Sequence, residues 1–225
     1  MKIRALALAV GLALASLNSV RATIYSDATG DTFFGGILDI VQVEVTNSAS
    51  DIFFTISLSA SIANPNDWGN YMVGIDSVPG GDSSTPVGNP WSRPISMSSG
   101  MDFWLGSWVN GGGGRQLWQY SGSWSQINQT GVSIGAQSVT FSASLANLGL
   151  NIGDTFNFDV YASGADGDPG AVDSLSNPNM TINDWNVPYQ NGPVSSYTIV
   201  AEPTAFALLG LGGLILLQRF VRRRS

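Results

Sequence analysis

The chain of 225 residues contains no cysteine and no histidine. Without cysteine there are no disulfides, no thiol nucleophile and no zinc–thiolate site. Without histidine there is no Ser-His-Asp triad, and the usual zinc-enzyme ligand sets are gone. Positive charge is scarce too. Nine Lys and Arg stand against sixteen Asp and Glu, and seven of the nine lie at the two ends. Between Arg21 and Arg219 only Arg93 and Arg115 remain. A body this acidic repels nucleic acid and anionic membrane surfaces. Glutamate is almost absent: before Glu202 the only one is Glu44, at a solvent-facing strand position. Glycoside hydrolysis calls for two carboxylates flanking one bond, and no pair of aspartates stands out by spacing. The chain therefore reads as a non-enzyme. The acidity does not signal disorder, because seven Trp and regular apolar alternation provide for a packed core.

Long apolar runs occur only at the ends. Lys2 and Arg4 precede an apolar stretch from Ala5 to Leu17, and Val20-Arg21-Ala22 offers a cleavage site after Ala22. This is the order of a secretory signal, and the apolar run is too short for a transmembrane helix. The other end reads AEPTAFALLGLGGLILLQRFVRRRS, residues 201–225. Its apolar part makes a thin span over about residues 204–221, with Arg219 snorkelling and glycines weakening the helix. The terminal arginines favour the cytoplasmic side, so the body between the ends is expected outside. That gives three parts: a signal peptide over 1–22, a single domain over 23–200 and a sorting or anchoring tail over 201–225.

The middle of the chain alternates with the period of two that half-buried strands show. Val41, Val43 and Val45 alternate with polar residues, and Ile52, Phe54, Ile56 and Leu58 share one face of the next segment. A polar turn at 47–50 between these two makes a hairpin. Further strands are expected at 22–27, 70–76, 101–109, 116–120, 137–145, 155–162 and 195–200, with a short helical turn at 145–150. A long Gly/Ser/Pro loop spans about 77–100, a length that in a compact domain points to function or mobility. Eight or so short strands with Gly, Pro and Asn turns predict an all-β antiparallel sandwich of jelly-roll or immunoglobulin-like kind. It is flanked by the signal helix and a C-terminal apolar helix.

Two kinds of residue offer chemistry. Hard cations such as calcium take clustered carboxylates on loops. Asp166, Asp168 and Asp173 form one cluster and Asp27 with Asp31 a second, neither at EF-hand spacing. Aspartates in glycine-rich loops are also ordinary turn residues. Tryptophan rings, in turn, stack on the apolar faces of sugars. Trp104 and Trp108 share one strand face, and Trp118 and Tyr120 share one face of the next. Phe103, Leu105 and Leu117 lie opposite, and one of these faces must be core. Trp91 in the long loop and Trp185 in a polar stretch are the remaining sugar-stacking candidates.

Two resemblances add to this. The tail resembles the PEP-CTERM sorting signal: a Glu202-Pro203 step, a Leu/Gly-rich apolar helix, then Arg222, Arg223 and Arg224. Ala201 stands where that signal has its first proline. The resemblance covers about a tenth of the chain. It implies handling by an exosortase-type membrane protease in a Gram-negative bacterium that makes exopolysaccharide, with membrane association before tail processing. The body's ILDIVQVEV, DIFFTISLS, YMVGIDS, DFWLGSWV and LWQYSGSW segments resemble the C-terminal domain of glucodextranase-type proteins. That domain lies within a DOMON-like group of carbohydrate-binding-module-like sandwiches. Such sandwiches bind sugar or haem or serve as surface modules. Haem would need a Met/Met or Met/Lys axial pair here. The expectation is an exported, non-enzymatic surface or matrix protein that binds polysaccharide and no nucleic acid. The alternative is a calcium-stabilised structural or adhesive module without a sugar site.

Overall fold

The computed structural model describes residues 22–32, 34, 36–62, 68–84, 88–95, 97–110, 113–128, 130–164, 171–177 and 192–201. The signal segment 1–21, Asp166, Asp168, Trp185 and the tail from Glu202 onward, with Pro203 and Arg222 to Arg224, lie outside these. The expected terminal helices therefore lie outside them too. No helix of the described residues is long and apolar enough to cross a membrane.

Within residues Ala22–Ile199 the chain is all-β and antiparallel, arranged in two sheets. The first sheet has five strands in the order β1-β2-β3-β9-β8. They are β1 (Thr23–Ser26), β2 (Ile40–Asn47), β3 (Asp51–Leu58), β8 (Gly131–Ile134) and β9 (Ser138–Ser144). The second sheet runs β11-β10-β4-β5-β6-β7, with β12 on the same edge of β10 as β11. Its strands are β4 (Asn70–Asp76), β5 (Phe103–Trp108), β6 (Gly114–Tyr120), β7 (Trp124–Asn128), β10 (Thr155–Ser163), β11 (Ala171–Ser174) and β12 (Ser195–Thr198). A 3-10 turn at Ala146–Leu148 sits where the sequence suggests a helical turn, closed by Gly149 at φ 66°.

The alternation dictates the core. Across β2 and β3 the inward Val43 stands opposite Ile56 and Val45 opposite Phe54, with Ile52 opposite Asn47. Val139 and Phe141 of β9 continue this face beyond β3. Tyr71, Val73 and Ile75 of β4, Phe103 and Leu105 of β5, and Phe156 and Phe158 of β10 supply the facing layer. These residues form one apolar cluster, so the two sheets share a core. Phe54 meets Phe158 across it at 5.3 Å between ring centroids. The hydroxyl of Tyr25 on β1 donates to the Ser196 carbonyl on β12, and that of Tyr197 donates to Asn47 at 2.8 Å. The first and last strands are thereby tied together.

The other face of the second sheet is covered as well. Met72, Trp104 and Tyr161 point away from the shared core and form a second apolar cluster with Ile95, Met97 and Met101. The long loop thus folds back as a cover, and its described residues are well anchored. Asp102 accepts hydrogen bonds from the Ser77 and Val78 amides at 2.8 and 2.9 Å. Buried Asn89 donates to the Arg93 and Ile95 carbonyls and accepts from the Trp91 and Arg93 amides. Ser92 sits in the left-handed region at φ 52°, between Trp91 and Arg93 in this tight turn.

Candidate functional site

Two constellations carry the sequence-predicted residues. The first is aromatic. Cross-strand register sets Trp104 opposite Trp118 and Leu105 opposite Leu117. Leu105, Leu117 and Phe103 face the shared core, so the tryptophans face outward beneath the loop. Trp104 is 0% exposed, and its ring stacks on Tyr161 at 6.3 Å. As a sugar-stacking residue Trp104 is therefore corrected: the loop cover leaves it no free face. Trp91, Trp108, Trp118, Tyr120 and Trp124 are half-buried.

Their placement is fixed from several sides. Trp91 lies against Gly106 and Trp108 against Gly114; a Cβ at either glycine would overlap the ring. Trp91 packs edge-on against both Trp104 and Trp108, with centroids at 5.7 and 6.1 Å. The Gln116 side-chain oxygen accepts from the indole N–H of Trp91 at 2.6 Å and of Trp118 at 2.8 Å. Trp124 donates to Asp82 at 2.9 Å. Burial works against the charge on Asp82, but bonds from Ser84 and Trp124 hold its carboxyl below the usual range. The Arg93 guanidinium stands 5.3 Å from the Trp91 ring centroid. The polar edges of three half-buried indoles are thus satisfied inside the protein.

The second constellation is acidic. The sequence suggests two separate aspartate clusters; the structure brings one member of the first, Asp173, beside both members of the second. Asp27 follows β1, and Asp31 lies in the next turn, after Gly30 at φ 82°. Asp173 lies on β11. Asp39, just before β2, joins them. Carboxylate oxygens of Asp31, Asp39 and Asp173 lie within 4.8 Å of one another. Asp39 and Asp173 are 2% and 0% exposed.

The backbone orients part of this group. The Gly30 amide donates to both oxygens of Asp39, at 3.1 and 3.0 Å. The Ile40 amide donates to Asp173, which joins the start of β2 to β11 across the two sheets. Ala28 donates to Asp27 at 2.9 Å. One oxygen of Asp27 and both of Asp31 are sealed from solvent with no hydrogen-bond partner in any other described residue. The charged neighbours that set the state of Asp27, Asp31 and Asp173 are all carboxylates. Burial, then Asp27, pushes Asp173 up to about 9. Burial leads for Asp27 as well and takes it to about 7, with Asp31, Asp159 and Asp39 adding to it against the Ala28 bond. Asp31 is raised by burial and by Asp39, with its own backbone amide easing the rise.

Asp159 of β10 stands behind this group. It is 2% exposed and accepts from the Ser176 hydroxyl at 2.6 Å and amide at 3.0 Å. Burial still raises it to about 6. The sequence reading passes over both Asp39 and Asp159. The signal was there in Asp159: Phe158, Asp159, Val160, Tyr161 and Ala162 run without a solvent-facing position, and a carboxylate inside such a run needs partners.

Ala201 is exposed at the end of the described body. No family model matches the chain, and no curated protein matches it at a significant level.

Proposed function

We propose that this is an exported, non-enzymatic protein of the cell surface or extracellular matrix. Its sandwich, of jelly-roll or immunoglobulin-like kind, binds polysaccharide through the outer aromatic face of the second sheet. The observation that carries this is the set of half-buried rings Trp91, Trp108, Trp118 and Trp124, three of whose N–H groups are already occupied. An indole locked this way offers its carbon face for stacking and loses little freedom when a sugar ring lands on it. In this reading the aspartate-rich surface serves solubility. The alternative, a calcium-stabilised structural or adhesive module, draws on the acidic constellation.

Isothermal titration against a polysaccharide panel tests the sugar reading. Trp91→Ala and Trp108→Ala are each expected to weaken binding by about tenfold, the ~1.4 kcal/mol of one stacked aromatic. Unchanged binding in both variants, or no binding by the parent protein to any glycan, would sink it.

Export through residues 1–22 and sorting by an exosortase-type protease at Ala201-Glu202-Pro203 complete the proposal. Intact mass of protein recovered from the native envelope and medium is expected to match residues 23 to about 202, the sizes set by the signal and tail patterns. Retention of Arg222, Arg223 and Arg224 in all recovered protein would make it a membrane-anchored protein instead.

A further inference from the structure

We propose that Asp27, Asp31, Asp39 and Asp173 form one divalent-cation site, and that calcium is the ion it takes. The inference is independent of the sugar reading and rests on different residues. Three carboxylates from three separated segments converge: the oxygens of Asp31, Asp39 and Asp173 lie within 4.8 Å of one another, and Asp27 is their charged neighbour. Oxygens within that span can reach one ion whose ligands stand about 2.4 Å away, as calcium's do, and calcium tolerates irregular oxygen sets where magnesium demands a near-ideal octahedron. The donor set is oxygen only, as a hard cation requires, and the chain holds no His or Cys to favour a softer metal.

A second observation points to a ligand rather than to a surface patch of aspartates. Both Asp31 oxygens and one Asp27 oxygen are buried and take no hydrogen bond from any other described residue. Carboxylate oxygens shut away from water need a donor or a cation. The chain supplies donors to Asp39 and Asp173, through Gly30, Ile40 and Ser174. Among the described residues no other residue supplies one to Asp31, which offers an oxygen to this cluster.

The site has a position with consequences for the fold. Its residues sit on the connection from β1 to β2 and on β11, which belong to different sheets. Both β1 and β11 are four-residue strands paired, among the described residues, on one side only, and the β10–β11 ladder is broken by a register shift after Ala162. A bound ion would clamp these two weak strands to each other.

The experiment uses the full chain in detergent micelles, stripped with EDTA, with calcium chloride as probe. Titration calorimetry is expected to show one calcium per chain. Melting temperature should rise by about 5 °C at about 10 mM calcium, well above the ~10⁻⁴–10⁻³ M affinity of extracellular calcium modules. The same concentration of magnesium should do markedly less. Asp31→Asn should fold, because no other described residue hydrogen-bonds to the Asp31 carboxylate, and should lose the calcium response. Asp27→Asn is the second variant, expected to weaken it. Asp76→Asn, a carboxylate on β4 outside the cluster, should keep it. No heat and no melting shift in the parent protein would overturn the proposal. So would a full calcium response in Asp31→Asn, or an equal loss in Asp76→Asn.

Discussion

Phe54→Ala is expected to destabilise the domain by about 3–5 kcal/mol, the range for removing a fully buried phenylalanine. For a domain of this size that corresponds to a fall in melting temperature of roughly 10 °C or more. Phe54 is the right probe because it is the central inward residue of β3, 0% exposed, between Val45 on β2 and Phe141 on β9. Across the core its ring lies 5.3 Å from Phe158 and 6.2 Å from Phe156. Truncation leaves a cavity that these four neighbours on two sheets cannot close by small shifts, so the cavity adds to the lost transfer energy. Urea unfolding of the parent and variant gives the number directly. A loss below about 1 kcal/mol would mean that the two sheets do not pack on one another at this residue.

The second large effect is a pH dependence of the metal-free protein, and its sign is opposite to that of an aspartate held by a salt bridge. Asp173 takes its proton at about 9 in the fold, Asp27 at about 7 and Asp159 at about 6. In the unfolded chain each returns to the ordinary aspartate value near 3.9. Above that value the unfolded chain has released protons that the folded chain still holds, so raising the pH favours unfolding. For Asp173 the loss begins near pH 4 and ends near pH 9. Because it is fully buried it contributes a slope of about 1.4 kcal/mol per pH unit in between. In EDTA the melting temperature should therefore drop steadily from pH 5 to pH 8, and Asp173→Asn should make the profile shallower. A flat profile in the parent protein would show that these carboxylates are not confined together as the fold has them.

Both predictions draw on features of unequal visibility in the sequence. The shared core was legible because β2, β3, β4, β9 and β10 bury one face, or most of both, and alternation records which side is inside. The hairpin of β2 with β3 and the pairing of β5 with β6 follow from the same patterns and their turns. β7 and β8 escaped because Ser125, Gln126, Ile127 and Asn128, then Ser133 and Ile134, are exposed, so burial imposes no period on them. β11 escaped because it is four residues long and follows a run of Gly and Asp. The outward tryptophans resisted assignment for a different reason. Alternation sorts residues into two faces but not into core and surface when both faces are covered, and here Ile95, Met97 and Met101 cover the second. The acidic constellation was half legible. Composition flagged Asp27, Asp31 and Asp173, yet their meeting depends on β11 lying on β10 beside the β1–β2 connection, a relation between positions more than 130 residues apart. Asp39 was hidden inside the apolar string Ile37-Leu38-Asp39-Ile40-Val41.

The tyrosine ties between the two end strands have a consequence for how this body can be carried. Tyr25 reaches the carbonyl of Ser196, and Tyr197 reaches Asn47, so the entry and exit of the chain lie side by side. A domain whose two ends adjoin can be spliced into a loop of another protein, or have its ends joined and be reopened elsewhere, without unpicking its strands.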